Sequence, residues 1–198
     1  YDSVAMGVEP LTSNTTGHTN TALGRQALCK NTEGATNTAV GAFALCANTT
    51  ASDNTAVGKN ALKANTTASL NNAFGSGSLM DNTTGCCNVA MGNDAMRFNV
   101  TGDGNVAIGN KALYCNNGST PDFNVAIGRQ AMYSTTTGCR NIAMGLNAMY
   151  STTTGSFNTA VGTNSFYFNS TGERNAAFGE TALEDNTIGN LNTAIGNE

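Results

Sequence analysis

Residues 37–53 read NTAVGAFALCANTTASD, and residues 54–70 read NTAVGKNALKANTTASL. The second stretch is the first shifted by 17 residues, and this near-identity decides the fold. The short pattern Asn-x-Ala-Φ-Gly, with Φ apolar, recurs from end to end of the 198 residues. Its glycines are Gly7, Gly24, Gly41, Gly58, Gly75, Gly92, Gly109, Gly128, Gly145, Gly162, Gly179 and Gly196, and ten of the eleven intervals are 17 residues. The remaining interval, Gly109 to Gly128, is 19 residues. A self-similar period in this range is the signature of a stacked-repeat architecture.

Numbered from its Asn, the unit is N-x-A-Φ-G-x-x-A-L-x-x-N-T-T-G-x-x. Position 3 is Ala in every copy, position 4 is apolar, and position 9 is Leu, Met or Phe. Seventeen residues are too few for a helix pair but suit short strands joined by turns. The expected fold is all-β: a parallel β-solenoid of about twelve 17-residue coils with two short strands per coil, at x-A-Φ and at A-L-x. N-T-T-G reads as a turn, because Asn and Gly accept unusual dihedrals and Thr supplies a local hydroxyl. At ~4.7–4.9 Å per layer, twelve coils make a rod of roughly 55 Å. Residues 1–198 read as one array, with a two-residue loop insertion within 115–123, around Asn117, Gly118 and Pro121, that leaves the layer register unchanged.

Alternation along a strand puts position 3 on the face opposite position 4. Two arrangements are open. Position 4 fills the interior and the Ala column forms a subunit interface, or Ala faces a narrow interior and position 4 points out. The second leaves Met, Phe and Ile exposed, so both favour self-association.

Composition sets further bounds. Charged residues are 11%, Trp is absent, and the formal net charge is −4. No basic stripe exists to attract nucleic acid, and no apolar run reaches the ~18–20 residues of a membrane span. The chain begins and ends within a repeat, without a visible signal peptide, as a mature product or a piece of a longer array does. Six Cys are consistent with an oxidising compartment.

Several columns could carry function. Position 12 supplies N-x-[ST] glycosylation candidates at Asn14, Asn48, Asn65, Asn82, Asn99 and Asn169, and the insertion supplies Asn117; the competing reading is turn chemistry alone. Thr at positions 13 and 14, as in Thr49-Thr50 and Thr153-Thr154, forms a ladder of the kind that orders water in ice-binding solenoids, or simply a turn. Tyr114, Tyr133, Tyr150 and Tyr167 share position 10 as an aromatic ladder, fit for carbohydrate or protein contact or for cross-layer stacking. Cys29 and Cys46 share position 10 of adjacent layers and are the disulfide candidate, since one layer spacing falls within the ~4.4–6.8 Å Cα range of a bridge. Cys86, Cys87, Cys115 and Cys139 have no matching partner one layer away. Catalysis, cofactors and metals are not expected: His18 is the only His, no Cys-x-x-Cys occurs, and Gly75-Ser76-Gly77 lacks the Lys of a phosphate loop.

Ser3-Val4-Ala5-Met6-Gly7, Asn105-Val106-Ala107-Ile108-Gly109 and Asn124-Val125-Ala126-Ile127-Gly128 resemble the S/N-V-A-I-G motif of trimeric autotransporter adhesin heads. That resemblance implies a left-handed β-roll, three chains about one axis, and adhesion to host surfaces or matrix. Similar arrays occur in phage and viral fibre proteins. The period here is longer than in the adhesin heads, and N-T-T-G is not part of their motif.

The expectation is therefore a structural fibre or shaft protein that assembles with itself, as a trimer or as an end-to-end filament, at an extracellular, cell or virion surface. The alternatives are an adhesin displaying positions 6, 7, 10 and 11 to a glycan or surface protein, and an ice-binding protein.

Overall fold

A computed structural model describes residues 2–116 and 122–197. Twelve three-residue strands follow one another along the chain: β1 (Val4–Met6), β2 (Thr21–Leu23), β3 (Thr38–Val40), β4 (Thr55–Val57), β5 (Asn72–Phe74), β6 (Val89–Met91), β7 (Val106–Ile108), β8 (Val125–Ile127), β9 (Ile142–Met144), β10 (Thr159–Val161), β11 (Ala176–Phe178) and β12 (Thr193–Ile195). They form one parallel sheet in strict chain order. Each strand pairs with the next in the same register, so Ala22 lies opposite Ala39 and Ala56 opposite Ala73. This is the β-solenoid that the period dictates. Register holds across the 19-residue interval too, where Ala107 faces Ala126. Asn117, Gly118 and Pro121 of that insertion lie outside the described residues.

The second expected strand does not form. The A-L-x segment instead makes tight turns: the Ala27 N–H donates to the Gly24 carbonyl at 3.4 Å and the Asn31 N–H to the Leu28 carbonyl at 3.1 Å. Positions 7, 9 and 17 take left-handed dihedrals on ordinary side chains, as at Gln26 (φ 55°), Leu28 (φ 51°) and Thr36 (φ 57°). Each such residue costs about 1–2 kcal/mol relative to the right-handed region. Stacking holds them there. The Leu28 N–H donates to Ala44 of the next coil and the Leu62 N–H to Ser78, both at 3.0 Å. A coil of this shape is strained alone and satisfied only between neighbours, which is the cooperative logic of a repeat array.

Position 5 is Gly for a related reason. Gly24 has φ 133°, and a Cβ on it would lie 2.7 Å from the Gly41 carbonyl oxygen directly above. Neither the dihedral nor the spacing admits a side chain.

The interior settles the orientation left open by the pattern. Ala at position 3 is wholly buried from Ala22 to Ala177, together with the position-8 and position-9 side chains such as Ala61 and Leu62. Position 4 points outward, with Phe74, Met91, Ile108, Met144 and Phe178 37–43% exposed. The reading that makes the Ala column a subunit interface is therefore corrected. A 17-residue coil encloses a narrow space, and one large side chain per layer, at position 9, fills what the methyl groups leave.

Candidate functional site

The most extensive polar arrangement lies inside the solenoid. At position 1, eleven Asn from Asn20 to Asn192 form an unbroken column. From Asn20 to Asn175 the Oδ1 of each accepts the backbone N–H of the Asn in the next coil, as Asn20 from Asn37 at 2.9 Å and Asn124 from Asn141 at 3.0 Å. At Asn20 the Nδ2 donates to the Gly34 carbonyl at 2.7 Å.

Position 12 builds a second column. Asn31 Nδ2 donates to Asn14 Oδ1 at 2.9 Å, Asn48 to Asn31 at 2.8 Å, Asn65 to Asn48 and Asn82 to Asn65 at 3.1 Å, Asn99 to Asn82 at 2.8 Å and Asn116 to Asn99 at 2.7 Å. From Asn31 to Asn99 each of these amides also reaches the position-15 carbonyl of its own coil; Asn31 Nδ2 lies 2.9 Å from Gly34 O. One carbonyl per layer thus receives both columns. Buried amides need such partners, since each unpaired one costs about 1–3 kcal/mol.

This geometry corrects the glycosylation reading. Asn48, Asn65, Asn82, Asn99 and Asn169 are fully buried, and their Nδ2 atoms, where a glycan would attach, donate inside the coil. Asn14, in the first coil and half-buried, likewise donates from Nδ2 to Gly17 at 2.8 Å. Asn117 lies outside the described residues. The turn-chemistry alternative came nearer, but the partners are neighbouring coils as well as the local turn. The one available signal was the recurrence of a single polar residue type at a stacked position.

The insertion coil keeps this network by substitution. Asp122 stands where other coils present a position-15 carbonyl, and its Oδ2 accepts Asn116 Nδ2 at 2.9 Å and Asn105 Nδ2 at 3.3 Å. Burial raises its carboxyl above the ordinary 3.8, against the lowering by those two amides. Its Oδ1, Asn116 Oδ1 and the Thr135 and Thr152 hydroxyls are buried without a partner among the described residues. Thr135 and Thr152 are the two coils in which position 12 is not Asn.

The turn threonines divide by position. Position-13 hydroxyls bind the next coil, as Thr49 to the Thr66 carbonyl at 3.1 Å and Thr153 to Ser170 at 2.9 Å. Position-14 residues Thr50, Thr67, Thr84, Thr137 and Thr154 face water. Of the two columns, one is engaged by neighbouring coils and the other is exposed.

On the outer surface, Tyr114, Tyr133, Tyr150 and Tyr167 stack with ring centroids 5.0 Å apart and planes within 3–7°. Phe98 and Phe168 close the column edge-on. The ring faces cover one another, leaving edges and hydroxyls to solvent. Burial, the Cys115 thiol and the flanking rings raise Tyr133 above its ordinary value.

Cys29 and Cys46 are brought together: their Sγ atoms are 3.1 Å apart, and Cys29 Sγ also lies 3.4 Å from the Cys46 carbonyl. Cys86 and Cys87 approach to 3.1 Å as sequence neighbours. All six cysteines are thiols. His18 is exposed, with Nδ1 3.1 Å from Thr19 Oγ1. Among the described residues no group of three His, Cys, Asp or Glu converges for a metal, and no helix is long and apolar enough to cross a membrane. A recess near the last coils is lined by Thr181, Leu183, Asn186 and Ala194. No family model, curated protein or solved structure matches the chain.

Proposed function

We propose that the chain is a structural rod, a segment of an extracellular fibre or shaft whose function is the stacking of its own coils. The observation that carries this reading is the position-1 Asn column, continuous over eleven coils. Each coil's buried amide is completed by the coil above it, so the polar interior is built for axial continuity rather than for a pocket. The outer face of the sheet supports self-association. Positions 2 and 4 of β6 to β9 present Val89, Met91, Val106, Ile108, Val125, Ile127, Ile142 and Met144, an apolar centre, while β2 to β4 and β10 carry Thr at position 2. An apolar centre with a more polar periphery is the make-up of a protein interface, and two or three copies of the chain fit it, in line with the trimer that the adhesin-head resemblance implies.

The test is to image the purified chain and follow its sedimentation with concentration. The expected result is oligomeric rods with axial order at ~4.8 Å; a chain that stays monomeric at high concentration overturns the assembly. The second reading, an adhesin, draws on cations placed over exposed-face aromatics, as Arg25 and Lys63 beside Phe43 (5.3 and 5.8 Å) and Arg140 and Arg174 beside Phe157 (5.3 Å each). Retention of the rod on a glycan array, lost on Phe157→Ala, would favour it.

A further inference from the structure

We propose that Cys29 and Cys46 form an oxidisable dithiol site that exchanges with small organic disulfides and closes to a bond between the second and third coils. Three observations meet here. The two sulfur atoms are 3.1 Å apart without being bonded. Their backbones are held one layer apart on both sides of the pair, by Leu28 N–H to Ala44 O at 3.0 Å and Lys30 N–H to Cys46 O at 3.2 Å. That separation lies within the Cα range of a disulfide, so closure needs side-chain rotation and leaves the ladder in place. Both thiols are half-buried, open to a small reagent at the surface of the rod.

The other cysteines lack this arrangement. Cys86 and Cys87 adjoin in sequence and tie no two coils. Cys115 and Cys139 have no thiol partner among the described residues.

Closure takes two exchange steps. One thiol of the pair loses its proton to solvent, and its thiolate attacks one sulfur of the reagent disulfide, expels the first reagent thiolate and is left as a mixed disulfide. The other thiol, held 3.1 Å away, then loses its proton and attacks the protein sulfur of that mixed disulfide, expelling the second reagent thiolate, and both reagent thiolates take up protons. Two protein thiols are oxidised to one disulfide, and one reagent disulfide is reduced to two thiols.

The experiment uses the full chain with Cys86, Cys87, Cys115 and Cys139 changed to Ser, its fold checked by circular dichroism against the unaltered chain, and glutathione disulfide as the probe. Expected are loss of both remaining thiols within a monomer and a tryptic species joining residues 26–30 to residues 31–59. Cys29→Ser and Cys46→Ser should each stop at a mixed disulfide on the remaining cysteine, with no bond between coils. Two thiols that persist in a folded chain, or bonds found only between chains, overturn the site.

Discussion

The coils from Asn14 to Asn116 and those around Thr135 and Thr152 share a backbone but are held differently. In the first region the position-12 amides run unbroken through the interior, while position 10 outside carries Thr12, Cys29, Cys46, Lys63, Met80 and Arg97, with no common chemistry, before Tyr114 in its last coil. In the second, Thr interrupts the inner column and two hydroxyls are left without partners. In these coils, and in the Asn116 and Asn169 coils that flank them, the outer column is Tyr, stacked ring on ring. The position-1 Asn ladder runs through both regions, and what has moved from inside to outside is the second ladder. The difference teaches that one inner ladder is common to the coils, while the second can be an inner amide column or an outer column of rings.

Breaking the inner column should have the largest effect. Asn65→Ala leaves Asn48 Oδ1 without its donor and frees one of the two Nδ2 hydrogens of Asn82, whose bond to Gly85 stays, and the expected loss is roughly 2–4 kcal/mol. Urea denaturation with hydrogen exchange resolved by coil would measure it, since an array can open locally. Thr152→Val, at the same position in the second region, should be neutral or stabilising because its hydroxyl has no partner to lose. A loss at Thr152→Val as large as at Asn65→Ala would erase the distinction between the regions.

Breaking the outer column comes next. Tyr150→Ala removes two stacked contacts, each worth about 0.5–1.5 kcal/mol, so a loss of roughly 1–3 kcal/mol is expected. Tyr150→Phe should retain nearly all of it. Lys63→Ala, at position 10 in the amide-laddered region, should change stability by less than about 0.5 kcal/mol.

Restoring the inner column sharpens the comparison from the other side. Thr135→Asn together with Thr152→Asn rebuilds the amide run from Asn116 to Asn169 and should stabilise by about 1 kcal/mol. In that background Tyr150→Ala should cost less than it does alone, as a double-mutant cycle would show.

The smallest effect is a pH dependence at the junction of the two regions. Asp122 holds its proton more tightly folded than unfolded, because burial raises its carboxyl above 3.8. The unfolded chain then binds fewer protons than the folded one as pH rises past 3.8, so this contribution to stability declines from there to the folded value and is flat above it. Asp122→Asn should remove that slope and raise stability at neutral pH, as thermal melts between pH 3 and pH 8 would report.

Much of the architecture was legible because repetition is a one-dimensional property. Glycine intervals give the coil length and the layer count directly, and the constant Ala column gives parallel in-register pairing. The cysteine pair was legible for the same reason, since equal position in adjacent coils means contact. Other features depend on how each coil closes. Leu at position 9 looks like a strand residue, yet neighbouring coils hold it in the left-handed region. Asn at position 12 looks like a turn residue with a glycosylation sequon, yet its amide turns inward because a carbonyl and another amide await it there. Asp122 looks like a loop acid, and only its place beside Asn105 and Asn116 shows it standing in for a backbone oxygen.

The sequence by itself therefore determined the period, the number of coils, their register and which residues stack on their own kind. The tertiary structure decided which side of each strand is interior, that a coil has one strand rather than two, and that the conserved-looking amides are internal. The physical reason is that translation along the axis repeats residue by residue, whereas inside and outside are set by the signs of a few dihedral angles that only the packed neighbouring coils can enforce.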